Sequence, residues 1–206
     1  MAYEAVPSGE NLRTVLRVFQ RDNPQMTNRE MLDLLRLMQF SGGLAVKGDY
    51  LEYAEMALKG GIFGEVKSVM DAGRAARDRR NNLVLTSMDA ADTYNLANSK
   101  IAGDKASLGA ASSDAAKAAT GKIASATADA YLGYGDNAKA IALYQMALQK
   151  GGVDAAEVNT RLGIAQARAG NLEAAKAAFS WFVGARISNA NLQETKFNAT
   201  NLRNAN

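Results

Sequence analysis

A 35-residue repeat in the second half of the chain constrains the fold more than any other feature of the sequence. Two segments align with each other, TADAYLGYGDNAKAIALYQMALQKGG (127–152) and LGIAQARAGNLEAAKAAFSWFVG (162–184). The alignment pairs residues of matching size, namely Gly135 with Gly170, Ala140 with Ala175, and Tyr144 with Phe179. A third, shorter copy, GDYLEYAEMALKGG (48–61), shares the GD pair, a tyrosine and the string MAL-K-GG.

This spacing predicts a helical hairpin in each copy. The glycine lets the chain leave one helix and enter the next, the small alanine lets two helices approach, and the aromatic residue fills the gap beside it. A single hairpin cannot bury its apolar face, so neighbouring hairpins are expected to stack into a solenoid.

The pattern resembles the tetratricopeptide repeat. The resemblance is carried by a small pair, a turn glycine, an alanine and an aromatic residue, here Leu162-Gly163, Gly170, Ala175 and Phe179. It covers 121–180 well and 28–80 more loosely, but the family's characteristic Trp and its repeat-closing Pro are absent. The resemblance implies an α-solenoid that binds peptides or proteins on a concave face. An Ala-rich helical bundle without a groove remains the alternative.

Apolar spacing and the distribution of proline predict helices along most of the chain. The two prolines are Pro7 and Pro24, so the rest of the chain lacks the residue that most disfavours a helix. Thr27 and Glu30 have the spacing of a capping box before an apolar run. The expected helices are 10–22, 28–40, 50–59, 62–77, 83–101, an Ala-rich helix from caps at 112–114 to 132, 137–149, 155–169 and 172–179.

The composition changes near residue 180. Asn becomes dense and the residues fall into fives, with apolar centres at Phe182, Ile187, Leu192, Phe197 and Leu202. Small residues stand two positions before each centre, at Ser180, Ala185, Ala190, Thr195 and Thr200. These fives resemble the pentapeptide repeat, which implies a right-handed quadrilateral β-helix with the centres pointing inward.

Five pentads make little more than one coil, whose ends are exposed and which cannot hold itself. The tail is therefore expected to cap the helices, to self-associate with a second chain, or to begin a longer array. A disordered Asn-rich tail and a last helix extended through Trp181 and Phe182 are the alternatives. The resulting fold class is mainly α, a TPR-like α-solenoid of stacked hairpins over 1–179, followed by a short β-helix-like or irregular segment over 180–206.

The residue inventory removes most catalytic chemistry. The chain has no Cys and no His, which excludes thiolate nucleophiles, Cys-ligated metals and the commonest general base near neutral pH. Gly133 to Ala138 match G-x-G-x-x-A, but a helix rather than a strand is expected before them, so a dinucleotide site is not predicted. We expect no enzyme, no cofactor and no metal, with carboxylate or Lys chemistry as the remaining alternative.

The net charge of +3 and pI near 9.1 are too weakly basic to predict a nucleic-acid partner. The basic cluster Arg74, Arg77, Arg79 and Arg80 is expected to end a helix, where cations suit the macrodipole, with an acidic partner as the alternative. No stretch has the length of a membrane span, and the N-terminus does not resemble a signal peptide. We expect a cytoplasmic protein, or a periplasmic one if the chain is a processed fragment.

The function expected from the resemblance is a non-catalytic protein-interaction or scaffold module that binds a protein or peptide. In tetratricopeptide solenoids the ligand contacts come from exposed residues on the first helix of each pair. By helical position these are Lys122 and Asp129 in one repeat, and Glu157, Thr160 and Arg168 in the next. The alternative is a structural spacer or assembly piece of a larger multidomain protein.

Overall fold

A computed structural model describes residues 8–78 and 80–178. The predictions for the pentads of 180–206, and those for Phe179, Trp181 and Arg79, lie outside the described residues.

The described part of the chain is mainly helical and contains no strand, which confirms that its fold is mainly α. A single antiparallel bridge joins Arg77 and Leu83 in a loop. A further helical segment runs over the described residues 172–178. The helices are α1 (Gly9–Asp22), α2 (Asn28–Phe40), α3 (Lys47–Lys59), α4 (Phe63–Ala75), α5 (Ala91–Lys117), α6 (Lys122–Gly133), α7 (Asn137–Lys150) and α8 (Ala155–Arg168).

The chain divides into two compact units, with the boundary between Ala102 and Gly103 inside α5. In the first unit, buried apolar residues of α1 to α4 form one core, which includes the fully buried Leu35, Tyr53 and Val69. In the second unit, alanines and aromatic residues of α6 to α8 form another core, which includes Leu132 and Tyr144. Each unit therefore has its own apolar core.

The same glycine turn closes a helix at four places in the described chain. Gly42, Gly61, Gly135 and Gly170 have φ of 70, 70, 78 and 81°, in the left-handed region that glycine adopts without steric cost. At each turn the glycine amide donates to the carbonyl three residues earlier, and the next amide donates to the carbonyl five residues earlier. These two bonds are those of the Schellman motif, which satisfies carbonyls that a helix end leaves unpaired.

The predicted repeat is confirmed at the turn and at the small residue that follows it. Gly135 donates to Leu132 O and Gly170 to Ala167 O, both at 3.0 Å, and these partners are also one repeat apart. Ala140 and Ala175 are both fully buried. The third copy matches only in part, because Gly48 lies inside α3 whereas Gly135 precedes α7.

The expected helices 83–101 and 112–132 are wrong at their boundaries. The structure has α5 over Ala91–Lys117, a break, and then α6 from Lys122. Ser112 does not cap a helix, since its hydroxyl donates to Leu108 O within α5. The break is made by tertiary contacts: Gly121 donates to Gly151 O at 2.8 Å, and a β-carbon at Gly121 would lie 2.2 Å from Ala147 O. The local sequence does not predict contacts between residues so far apart in the chain.

Candidate functional site

The five residues predicted to contact a ligand lie on α6 and α8 of the second unit. Lys122 and Glu157 occupy equivalent repeat positions, each in the first turn of its helix. Lys122 is exposed, and beside it Ile123 is 43% exposed although it is apolar. Glu157 is half-buried, with Oε1 at 2.6 Å from a guanidinium nitrogen of Arg161.

Asp129 contradicts the expectation that it is exposed. Its residue exposure is only 7%, and both of its carboxylate oxygens have partners inside the unit. Oδ1 accepts a hydrogen bond of 2.6 Å from the Tyr144 hydroxyl, and Oδ2 accepts one of 3.0 Å from Arg161. Because α7 lies between α6 and α8 in the chain, these bonds join three successive helices. Asp129 is therefore a structural residue of the hairpins.

Thr160 and Arg168 are both half-buried on α8. The Thr160 hydroxyl donates to Ala156 O, one turn earlier on its own helix, at 2.8 Å. Such back-bonding occupies the hydroxyl proton and leaves its oxygen as an acceptor. Arg168 lies in the last turn of α8, where a cation suits the helix dipole.

Sequence reasoning missed Arg161, which organises this part of the molecule. Its side chain is 1% exposed, and its guanidinium binds Asp129 on α6 and Glu157 on α8. A signal was present, because Arg161 follows Val158 by three residues and precedes Ala165 by four, within the apolar stripe of α8. An arginine in a buried stripe requires a carboxylate partner, since an unpaired buried charge is very costly.

The first unit contains a cluster of the same design. Arg36 on α2 is fully buried and binds Glu65 on α4 through Nε and Nη2, at 2.9 and 2.6 Å. The Tyr53 hydroxyl of α3 donates to Glu65 Oε1 at 2.7 Å, and Asp33 pairs with Arg36 one turn earlier on α2. In both units, a buried arginine thus pairs with two carboxylates, one on its own helix and one on a second helix. The carboxylate on the second helix also accepts a hydrogen bond from a tyrosine hydroxyl of the helix that lies between the two in the chain.

The two clusters place the charges in opposite order along the chain. In the first unit the arginine is on the first of the three helices, and in the second unit it is on the last. Mutual pairing of this kind fixes the relative register of three helices, because a shift by one turn would leave buried charges unpaired. Both clusters are accordingly structural.

A third network joins α1 to α3 in the first unit. Asp49 is buried and accepts hydrogen bonds from Arg13 at 2.8 and 2.9 Å, from Arg17 at 2.6 Å, and from the amides of Ala45 and Val46. Burial alone would raise the pKa of the Asp49 carboxyl. The hydrogen bonds from Arg13, Ala45 and Arg17 outweigh burial, so its pKa lies well below the usual range. The charged carboxylate is therefore part of the folded state.

Among residues 8–78 and 80–178, no group of three or more carboxylates is placed to hold a metal ion. No helix in the same part of the chain is both long and apolar enough to cross a membrane.

The fold and its clusters define the class of this protein: mainly helical, with a repeat-like architecture of helical hairpins. No protein-family model, curated protein or solved structure matches the chain at a significant level.

Proposed function

We propose that the chain is a non-catalytic interaction module that binds a protein or peptide on the surface of its helical hairpins, as the tetratricopeptide resemblance implies. The observation that carries the proposal is that the turns at Gly135 and Gly170 have the same geometry, with equivalent hydrogen bonds in both copies. Repeated hairpins present equivalent positions side by side, and extended binding surfaces are built in this way in helical-repeat proteins.

The contact residues of this proposal are Lys122, Glu157, Thr160 and Arg168. Asp129 is no longer included, because its carboxylate is buried against Arg161 and Tyr144. Lys122 is the most accessible of the four and lies next to the exposed side chain of Ile123. A cation beside an apolar side chain suits a polypeptide partner, which offers both carboxylates and apolar groups.

Affinity capture from the native cell lysate, quantified by mass spectrometry, tests the proposal. The test variant is Lys122→Glu/Arg168→Glu, and the control is Lys100→Glu/Lys117→Glu, which has the same charge change at exposed positions of α5. We expect wild type and control to capture the same proteins, and the test variant to lose at least one. Identical capture by all three proteins would contradict the proposed surface.

A structural spacer is a second candidate, favoured by one observation on α5. Residues 98–107 of this helix include no buried residue, although the helix is continuous across the boundary between the units. Ile101 and Asp104 are half-buried, and the other eight of these residues are exposed. A helical segment with so little burial acts as a semi-rigid connector. For a spacer, Gly103→Pro is expected to change the captured set by breaking the connector, whereas the surface variants leave it unchanged.

A further inference from the structure

Between α4 and α5, the described residues 76–78 and 80–85 form an ordered loop, here called the arginine loop. Its ends are fixed to the first unit by two backbone bonds, from Val84 N to Ala76 O and from Leu85 N to Gly73 O, both at 3.1 Å. Val84 and Leu85 are buried in the apolar core. The loop therefore leaves the unit and returns to it at a defined place.

Asp78 organises the tip of the arginine loop. Its Oδ1 accepts hydrogen bonds of 2.8 Å from the amides of Arg80 and Asn82, and its Oδ2 accepts one from the Asn82 side chain. Hydrogen bonds from Asn82, together with that from Arg80, hold the pKa of Asp78 below its ordinary value. Asn81 has φ of 66°, a left-handed turn conformation that Asn tolerates. The carboxylate of Asp78 thus accepts its hydrogen bonds from within the loop.

Two arginines project from this framework. The sequence predicts that they end a helix, but α4 ends at Ala75, so only Arg74 lies in its last turn, with its guanidinium over the Tyr94 ring at 3.9 Å. Arg77 and Arg80 lie beyond the helix and are exposed. Within the described ranges 8–78 and 80–178, neither side chain has an ion pair or hydrogen bond.

An exposed apolar residue lies across the backbone from one of these two arginines. Leu83 faces Arg77 across the isolated bridge and is 48% exposed. Three other arginines of the first unit are used differently, since Arg13, Arg17 and Arg36 pair with carboxylates of neighbouring helices. Arg77 and Arg80 are therefore available to carboxylates from outside the described chain.

We propose that the arginine loop docks an acidic segment of a partner protein, with Arg77 and Arg80 binding its carboxylates and Leu83 contacting an apolar side chain next to them. The guanidinium fork matches a carboxylate bidentately, and an ordered loop loses little entropy on binding. A nucleic acid is disfavoured, because such sites commonly neutralise about six to ten phosphates. The loop uses no residue of α6 or α8, so the proposal stands independently of the one above.

Fluorescence anisotropy with a labelled Glu-Glu-Leu-Glu-Glu peptide tests the docking. We expect saturable binding to the full chain at low salt, weakening as NaCl rises from about 50 to 200 mM because the charges are screened. Arg77→Glu/Arg80→Glu should weaken binding at least about tenfold, the effect of losing one charge-assisted contact. Lys100→Glu/Lys117→Glu, with the same net charge change, should leave it unchanged, as should replacing Lys122 and Arg168 by Glu.

Several outcomes would overturn the docking proposal. The first is that the acidic peptide does not bind. The second is that a Gln-Gln-Leu-Gln-Gln peptide binds as tightly as the acidic one. The third is that the Lys100→Glu/Lys117→Glu control loses as much affinity as the Arg77→Glu/Arg80→Glu variant. A single-stranded oligonucleotide of equal charge that binds more tightly than the peptide, through the same arginines, would assign the loop to phosphate instead. Circular dichroism verifies that each variant keeps its helix content, and Arg77→Gln/Arg80→Gln, expected to weaken binding less than the Glu variant, repeats the test without charge reversal.

Discussion

Replacing Arg161 by Met is expected to destabilise the second unit strongly. The substitution keeps the apolar stem of the side chain and removes the guanidinium that binds Asp129 and Glu157. Asp129 is then left buried with the Tyr144 hydroxyl as its remaining partner among these groups. A buried carboxylate that loses its counter-ion is much costlier than a lost surface contact.

The burial of the two partners sets the magnitude. Arg161 and Asp129 have side-chain exposures of 1% and 11%, so their pair belongs to the buried class, for which removing one partner costs about 3–5 kcal/mol. Glu157 is 22% exposed and lies one turn away on the same helix, so its pair adds roughly 0.3–0.5 kcal/mol. With a urea m-value of about 1–3 kcal/mol/M, the midpoint should fall by at least about 1 M.

Urea unfolding followed by circular dichroism gives the midpoint, and hydrogen exchange by mass spectrometry locates the change. Because each unit has its own core, we expect faster exchange in α6 to α8 and unchanged exchange in α2 to α4. The matched control Arg36→Met should show the reverse, since it opens the corresponding cluster of the first unit. A cost below about 1 kcal/mol, typical of exposed pairs, would refute the structural role of Arg161.

Three further predictions concern other contacts. The pKa of Asp49 is lowered in the folded state, so its charge contributes full stability above the pKa of about 3.9 that it has in the unfolded chain, and this contribution is lost as the pH falls below that value. Asp49→Asn should therefore flatten the acid limb of the curve of unfolding free energy against pH, and an unchanged slope would contradict this. Gly121→Ala should lower the melting temperature and cost about 1–3 kcal/mol of unfolding free energy, because the added β-carbon meets the Ala147 carbonyl. Gly103→Ala, where the added β-carbon meets no atom, should instead raise the unfolding free energy by about 0.5–1 kcal/mol. Lys150→Met should cost about 1 kcal/mol in urea unfolding, because the ammonium donates to Ala116 O in the last turn of α5, at 3.0 Å, and to Ala118 O just beyond that helix, at 2.6 Å. Equal stability of the variant would argue against this contribution.

Helices with local start signals were predicted well. The capping box at Thr27 and Glu30 is present, and the predicted helix 28–40 has the bounds of α2. The turn at Gly135 was also predicted, because a glycine between two apolar runs marks a helix end, and its φ of 78° confirms the turn. In these cases the information lies within one or two turns of the chain.

The candidate site was predicted less well. Lys122 is exposed as expected, but Asp129, seven residues further along the same helix, is buried. Exposure of a polar residue on a helix depends on which neighbour packs against it, and a charged residue at a buried position is stable when that neighbour brings the opposite charge. The partner of Asp129 lies 32 residues away, on another helix.

The sequence by itself determined the helical class, the hairpin turns and the repeat, because propensity, capping and glycine placement act over a few residues. The tertiary structure alone decided which carboxylates pair with the buried Arg161 and Arg36, that α5 stops at Lys117, and that Arg77 and Arg80 lie on a loop outside the helix. These features depend on contacts between distant segments, where the energy of desolvating a charge is balanced only by a partner that folding brings near.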